Sequence, residues 1–195
     1  AGVTWIYVSL HDFGAMPMPI AVIALIILCA YLSLFPALSA WLSAKLRLTS
    51  PLIWAAVAAA LWMLFEWLRG YLFTGFPWLA LGYSQAPFSP LAGFAPIIGV
   101  YGISLVLIFS AALLFLWAET GFRQWRYGTP FVLIWLGGFG LQAIEWVKPE
   151  GGPVTVSLLQ GNIAQDLKWR EDHLEHSMET YAKLILESNS RLIVT

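Results

Sequence analysis

A chain of 195 residues that is 59% hydrophobic and 15% aromatic, with only 11% charged residues, has the composition of a multi-pass membrane protein and excludes an ordinary soluble globule. A formal net charge of -1, with no basic block and no RNA- or DNA-binding signature, argues against a nucleic-acid partner. The charge is uneven: residues 1–152 carry 11 of the 21 charged residues and residues 153–195 the other 10, so the chain changes solvent near Gly151-Gly152-Pro153.

No basic n-region precedes the first apolar run, so the sequence shows no signal peptide and reads as the interior of a longer protein. Residues 1–19 mix Trp5, Tyr7, His11, Asp12 and Phe13 with Gly14, Pro17 and Pro19, the composition of a loop lying against a membrane surface. His11-Asp12 reads as part of that solvated loop, because adjacent side chains seldom converge and no nucleophile is near. Four apolar runs follow, each long enough or nearly so to cross about 30 Å of hydrocarbon. They are expected at about 20–42, with a possible kink at Pro36, 51–71, 96–117 and 130–146. Ser50-Pro51 and Thr129-Pro130 each offer an N-cap followed by proline at the first helical position. The small residues Ala55 to Ala60 suit a close helix–helix approach. The lone cysteine, Cys29, lies inside the first run and reads as an inert small hydrophobe with no partner for a disulfide.

The spans lack charge in their central parts, which weakens a transporter reading, since ion and proton pathways need ionisable groups inside the membrane. Lys45 and Arg47 lie in one short loop and Arg123 and Arg126 in another, so both loops are expected in the cytoplasm. That puts residues 1–19, the loop from Glu66 to Ala95 and everything after Lys148 on the opposite face. Between the second and third runs, Leu64 to Gln85 holds Glu66 and Arg69 at i, i+3 spacing, seven large aromatics and Gly/Pro punctuation. Amphipathic rings at that depth serve as interface anchors or shape a cleft for lipid.

After Pro153 the period changes. Val154, Val156 and Leu158 alternate with Thr155 and Ser157 as in a strand, and Gln160-Gly161-Asn162 ends the run. Leu174, Met178, Tyr181 and Ile185 then recur at helical spacing within 170–187, and residues 191–195 begin a second strand. This is a β-α-β opening. His173 and His176, flanked by Asp172 and Glu175, read as a solvated helix face in preference to a metal site, because no further ligand is fixed by spacing.

Glu66-Trp67-Leu68-Arg69-Gly70, Thr74-Gly75-Phe76-Pro77-Trp78-Leu79, Leu81-Gly82-Tyr83-Ser84-Gln85, Gln160-Gly161-Asn162-Ile163 and Leu167-Lys168-Trp169 together resemble the apolipoprotein N-acyltransferases of bacterial inner membranes. The resemblance covers essentially the whole chain in order. It implies an α-helical multi-pass membrane region over 1–152, followed at 153–195 by the opening β-α-β of a periplasmic α/β nitrilase-like (carbon-nitrogen hydrolase) domain. The implied activity moves a fatty acyl chain from a phospholipid donor, through a cysteine thioester, to the N-terminal cysteine amine of an apolipoprotein. It also implies a Glu-Lys-Cys triad, none of which maps onto this chain, so the catalytic list is empty and the chain alone is expected to be inactive. Trp169, Lys168, Phe76 and Trp78 are implied at the acyl or lipid entrance; no cofactor and no metal is implied. A membrane-anchored nitrilase-type amidase would share the β-α-β opening without needing Glu66 to Gln85, and a transporter or sensor would share the spans.

Overall fold

The computed structural model describes residues 2–46, 48–86, 88–164 and 171–195. It divides into two compact units, Ala1–Val3 with Ile23–Val147 and Thr4–Val22 with Lys148–Thr195. The architecture is mostly helical. Three helices are long and apolar enough to cross a membrane: Met18–Lys45, Pro51–Arg69 and Pro90–Glu119.

The amino-terminal stretch is not the loop that its glycine and prolines suggest. Trp5–Val8 forms α1, and Ser9–Phe13 continues it as a π-helical turn. Trp5 to Phe13 contains neither glycine nor proline, and the wider turn closes when Gly14 N–H donates to Ser9 O at 3.0 Å. His11 is held within this turn: its Nδ1 lies 2.8 Å from Met16 O and its ring 5.3 Å from that of Tyr7.

The long helices follow from their apolar runs. α2 (Met18–Lys45) passes through Pro36 and is longer at both ends than the apolar count suggests. Cys29 is exposed on it, so this thiol faces away from the protein interior. α3 (Pro51–Arg69) starts where the sequence predicts: Ser50 Oγ accepts from Ile53 N–H at 3.5 Å, and Pro51 occupies the first turn. Its buried residues include Ala55 and Ala59, four apart on one face, and its packing partner is α4 (Ala95–Glu119). A 3-10 turn, Pro90–Phe94, leads into α4, and Gly99 (φ 63°) interrupts the first helical residues.

α5 (Trp125–Leu141) corrects the expected cap at Thr129-Pro130. The helix begins five residues before Pro130, which sits inside it. Aromatic packing extends it upstream: Tyr127 and Gly128 are buried, the Trp117 ring of α4 lies 5.0 Å from that of Trp125, and a Cβ at Gly128 would come within 2.7 Å of Trp117. At 17 residues α5 is shorter than the three other apolar helices. Its far end packs on the Pro90–Phe94 turn through Gly138 and Gly93.

In the other unit, β1 (Val156–Leu158), α6 (Glu171–Glu187) and β2 (Leu192–Val194) form a strand-helix-strand unit with the strands parallel. The register pairs Val156 with Leu192, Ser157 with Ile193 and Leu158 with Val194. Ser157, Ser188 and Ser190 tie the strand ends together through hydroxyl contacts of 2.8 Å. Leu174, Met178, Tyr181 and Ile185 lie along one face of α6 and line an open cavity of about 680 Å³ together with Gln160, Asn162 and Thr195. Among the described residues no three His, Cys, Asp or Glu side chains gather as a metal site.

Candidate functional site

The segment from Gly70 to Phe94 joins α3 to α4 without a long helix, using 3-10 turns at Leu72–Thr74, Leu81–Gln85 and Pro90–Phe94. Its first half is bent back by a run of left-handed residues, Phe73 (φ 49°), Thr74 (73°) and Gly75 (79°), with Leu79 (62°) further on. Such conformations cost about 1–3 kcal/mol each for non-glycine residues and persist only where the surroundings over-determine them. Here several bonds do so. Gly75 N–H donates to Leu72 O and Phe76 N–H to Arg69 O, both at 2.9 Å. Gly75 has no room for a side chain: a Cβ would lie 1.9 Å from Gly70 O. The Tyr31 hydroxyl of α2 donates to Leu72 O at 3.3 Å, and its ring meets that of Phe73 edge-on at 5.9 Å.

Two side chains from the helices hold the second half. Glu66, near the end of α3 and 7% exposed, accepts the Leu81 N–H on Oε1 at 2.7 Å. Ser104 of α4, fully buried, accepts the Gly82 N–H at 2.8 Å and donates to Val100 O at 3.3 Å. Gly82 is required by the same approach, because a Cβ would come within 2.1 Å of Val100 O. The backbone of Leu81-Gly82 is thus bound to α3 on one side and α4 on the other. Sequence reasoning flagged Glu66 for its i, i+3 spacing with Arg69 but missed Ser104, whose only signal is a hydroxyl inside a span.

The i, i+3 spacing of Glu66 and Arg69 suggests an ion pair, but the two do not close one. Glu66 Oε2 and Arg69 Nε and Nη2 are buried without hydrogen-bond partners. Glu66 turns its other oxygen to the Leu81 amide instead, and a backbone donor that would otherwise be unsatisfied takes precedence over the neighbouring guanidinium.

From this fixed backbone the aromatic side chains project. Phe76 is half-buried and Trp78 exposed, with ring centroids 5.9 Å apart. Pro77, Trp78, Leu79 and Tyr83 line an open concavity of about 310 Å³. Phe73, Tyr83 and Phe88 are also exposed, the last at 94%. The structure therefore brings together two of the four residues the sequence nominates, Phe76 and Trp78; Lys168 and Trp169 lie outside the described residues.

The family model for the apolipoprotein N-acyltransferase N-terminal domain matches residues 1–113. The chain belongs to this family. It is 62% identical over 195 residues to an apolipoprotein N-acyltransferase of Nitrosomonas europaea, covering all of this chain and 39% of that protein. Proteins of the same name from Chromobacterium violaceum (44% over 192 residues) and Ralstonia nicotianae (42% over 198 residues) match 97% and 100% of this chain. They are covered over 37% and 38% of their own lengths, so the chain spans less than two fifths of the curated relatives it matches. The family model covers the Gly70–Phe94 loop, the helices Met18–Lys45 and Pro51–Arg69, and Pro90–Glu119 as far as residue 113.

Proposed function

We propose that this chain is the membrane part, and the start of the following domain, of an enzyme that moves a fatty acyl chain from a phospholipid to the N-terminal cysteine amine of lipoproteins. The observation that carries the reading is the loop between α3 and α4, whose backbone is bonded to both helices while Phe76, Trp78 and Tyr83 extend from it. A fixed backbone with exposed aromatic rings, at the end of an apolar helix, suits lateral capture of an acyl chain at the membrane interface. Family membership supports the same activity, and the family's relatives carry that name.

In this reading the transfer runs through a cysteine thioester, and the nucleophile, its glutamate base and the lysine that stabilises the oxyanion come from residues outside this chain. Cys29 is not the nucleophile in this reading: it is exposed on a helix expected to lie in lipid. The strand-helix-strand unit of β1, α6 and β2 opens a nitrilase-like domain on the periplasmic side, and the basic residues Lys45, Arg47, Arg123 and Arg126 put the opposite loops in the cytoplasm. Resemblance to the family is what nominates Phe76, Trp78, Lys168 and Trp169 for contact with the acyl chain.

The test is acyl labelling from a phospholipid donor, followed by release with hydroxylamine. The 195-residue chain is expected to form no thioester, whereas a version extended to the length of its relatives forms one and keeps it when Cys29→Ala is introduced. A hydroxylamine-labile acyl group on the short chain, or its loss from the long one on Cys29→Ala, refutes the assignment.

A further inference from the structure

Between α2, α3 and the loop lies a small cavity of about 90 Å³, lined by Phe35, Pro36, Trp62, Phe65, Glu66, Arg69, Leu79 and Leu81. Most of that lining is apolar, yet three of its side chains bring polar atoms that are buried and unpartnered: Trp62 Nε1, Glu66 Oε2, and Arg69 Nε and Nη2. Glu66 is more than nine-tenths buried, so bulk solvent does not satisfy it. Leaving such groups unpaired is costly, which favours an occupant.

The chemistry of the lining selects that occupant. Arg69 and Trp62 offer only hydrogens, and Glu66 Oε2 offers only an acceptor. An anion would satisfy the donors but stand against the carboxylate oxygen, and an ammonium would satisfy the carboxylate but stand against the guanidinium. Only a molecule that accepts and donates at once completes the set. Water does both and requires two to four polar partners, and the cavity of about 90 Å³ has room for it.

We propose that this cavity is a built hydration site in which water joins Glu66 Oε2 to Arg69 and Trp62, and that Glu66, through its other oxygen, is the positioning residue of the aromatic loop. One carboxylate oxygen binds Leu81 N–H directly at 2.7 Å, and the other is held in place through water by two residues of its own helix. Glu66 fixes Leu81 through Oε1 while water satisfies Oε2, and the backbone around Leu81 carries Phe76, Trp78 and Tyr83. Gly82, bonded to Ser104, is an independent attachment and serves as the internal reference.

The experiment uses the chain in phospholipid nanodiscs and needs no enzymatic activity, so its outcome is separate from that of the acyl-transfer reading. Amide hydrogen exchange is followed at Leu81 and Gly82, and the cavity is inspected in a density map at about 2 Å. Glu66→Ala is expected to speed Leu81 exchange about tenfold or more, while Ser104→Ala speeds Gly82 and leaves Leu81 slow. Glu66→Gln keeps an oxygen for Leu81 and should leave its exchange within about twofold of the parent, but its amide hydrogens join an already donor-rich cavity and reduce the ordered water. If Glu66→Ala does not insert, Glu66→Gln and Trp62→Phe decide: retained Leu81 protection with fewer ordered waters supports the site. Unchanged Leu81 exchange in a folded Glu66→Ala variant overturns the positioning role. A dry cavity, or density continuous with a lipid headgroup or acyl chain, overturns the hydration site.

Discussion

Gly138 and Gly140 lie two residues apart in α5, and replacing each by alanine separates packing from propensity. Either substitution gains at most about 1 kcal/mol, the amount by which glycine is the poorer helix former in a helix interior, since both positions lie in the last turn of α5. At Gly140 nothing lies within 4 Å of the added Cβ, so that gain stands alone. At Gly138 the Cβ would meet Pro90 O at 2.5 Å, and Pro90 C and Phe94 Cε2 at 3.0 Å. Carbonyl oxygen and carbon belong to the backbone of the turn that leads into α4, so they yield only if the turn moves. The reciprocal contact is equally tight, with a Cβ at Gly93 only 2.0 Å from Gly138 O. Overpacking of this kind costs about 1–3 kcal/mol. Because the propensity gain is common to both variants, Gly138→Ala should be less stable than Gly140→Ala by about 1–3 kcal/mol. Denaturation by SDS in mixed micelles, followed by circular dichroism, measures that difference directly. Equal midpoints for the two variants would show that α5 and the Pro90–Phe94 turn are not in contact through these glycines.

Two further outcomes are expected. With Cys29 replaced by alanine, a cysteine at Arg126 should react with an impermeant thiol reagent only from the cytoplasm, and one at Ser84 only from the other side; labelling of both from the same face contradicts the orientation drawn from the basic loops. In a version extended to the length of its relatives, Trp169→Ala should insert normally and slow acyl transfer, and a folded variant with unchanged turnover removes Trp169 from the acyl entrance.

Much of the helical framework was legible because long apolar runs and a serine-proline cap leave few alternatives. The start of α3 at Pro51 and the small face at Ala55 and Ala59 come from local chemistry alone. The start of α5 was not legible, since the Thr129-Pro130 signal is local and the aromatic contact of Trp117 with Trp125 that extends the helix is tertiary. The same distinction explains the amino terminus, where glycine and prolines at its end suggested a loop but the uninterrupted stretch before them closed into helical turns. At the candidate site, spacing put Glu66 beside Arg69, yet the partner that Glu66 takes is Leu81, 15 residues away. No helical periodicity contains that information.

The choice between anchoring rings and a lipid-facing cleft, open from the sequence, turns on where the backbone is held. Rings that only anchor a helix need no special main-chain geometry, because a continuous helix presents them at the interface at no conformational cost. This loop instead has three non-glycine residues with positive φ between Phe73 and Leu79, and it has side chains of both neighbouring helices committed to its amides. Strain of about 1–3 kcal/mol per residue, offset by buried hydrogen bonds, is a poor way to build an anchor and a reasonable way to fix the relative placement of Phe76 and Trp78. It follows that loosening the backbone should matter more than removing a single ring. Gly75→Ala, whose Cβ would stand 1.9 Å from Gly70 O, is therefore expected to displace the whole aromatic face, whereas Phe88→Ala, at a ring 94% exposed, removes surface area and leaves the loop where it is. Hydrogen exchange at Leu81 distinguishes the two, and equal exchange in both variants would return these rings to the role of simple anchors.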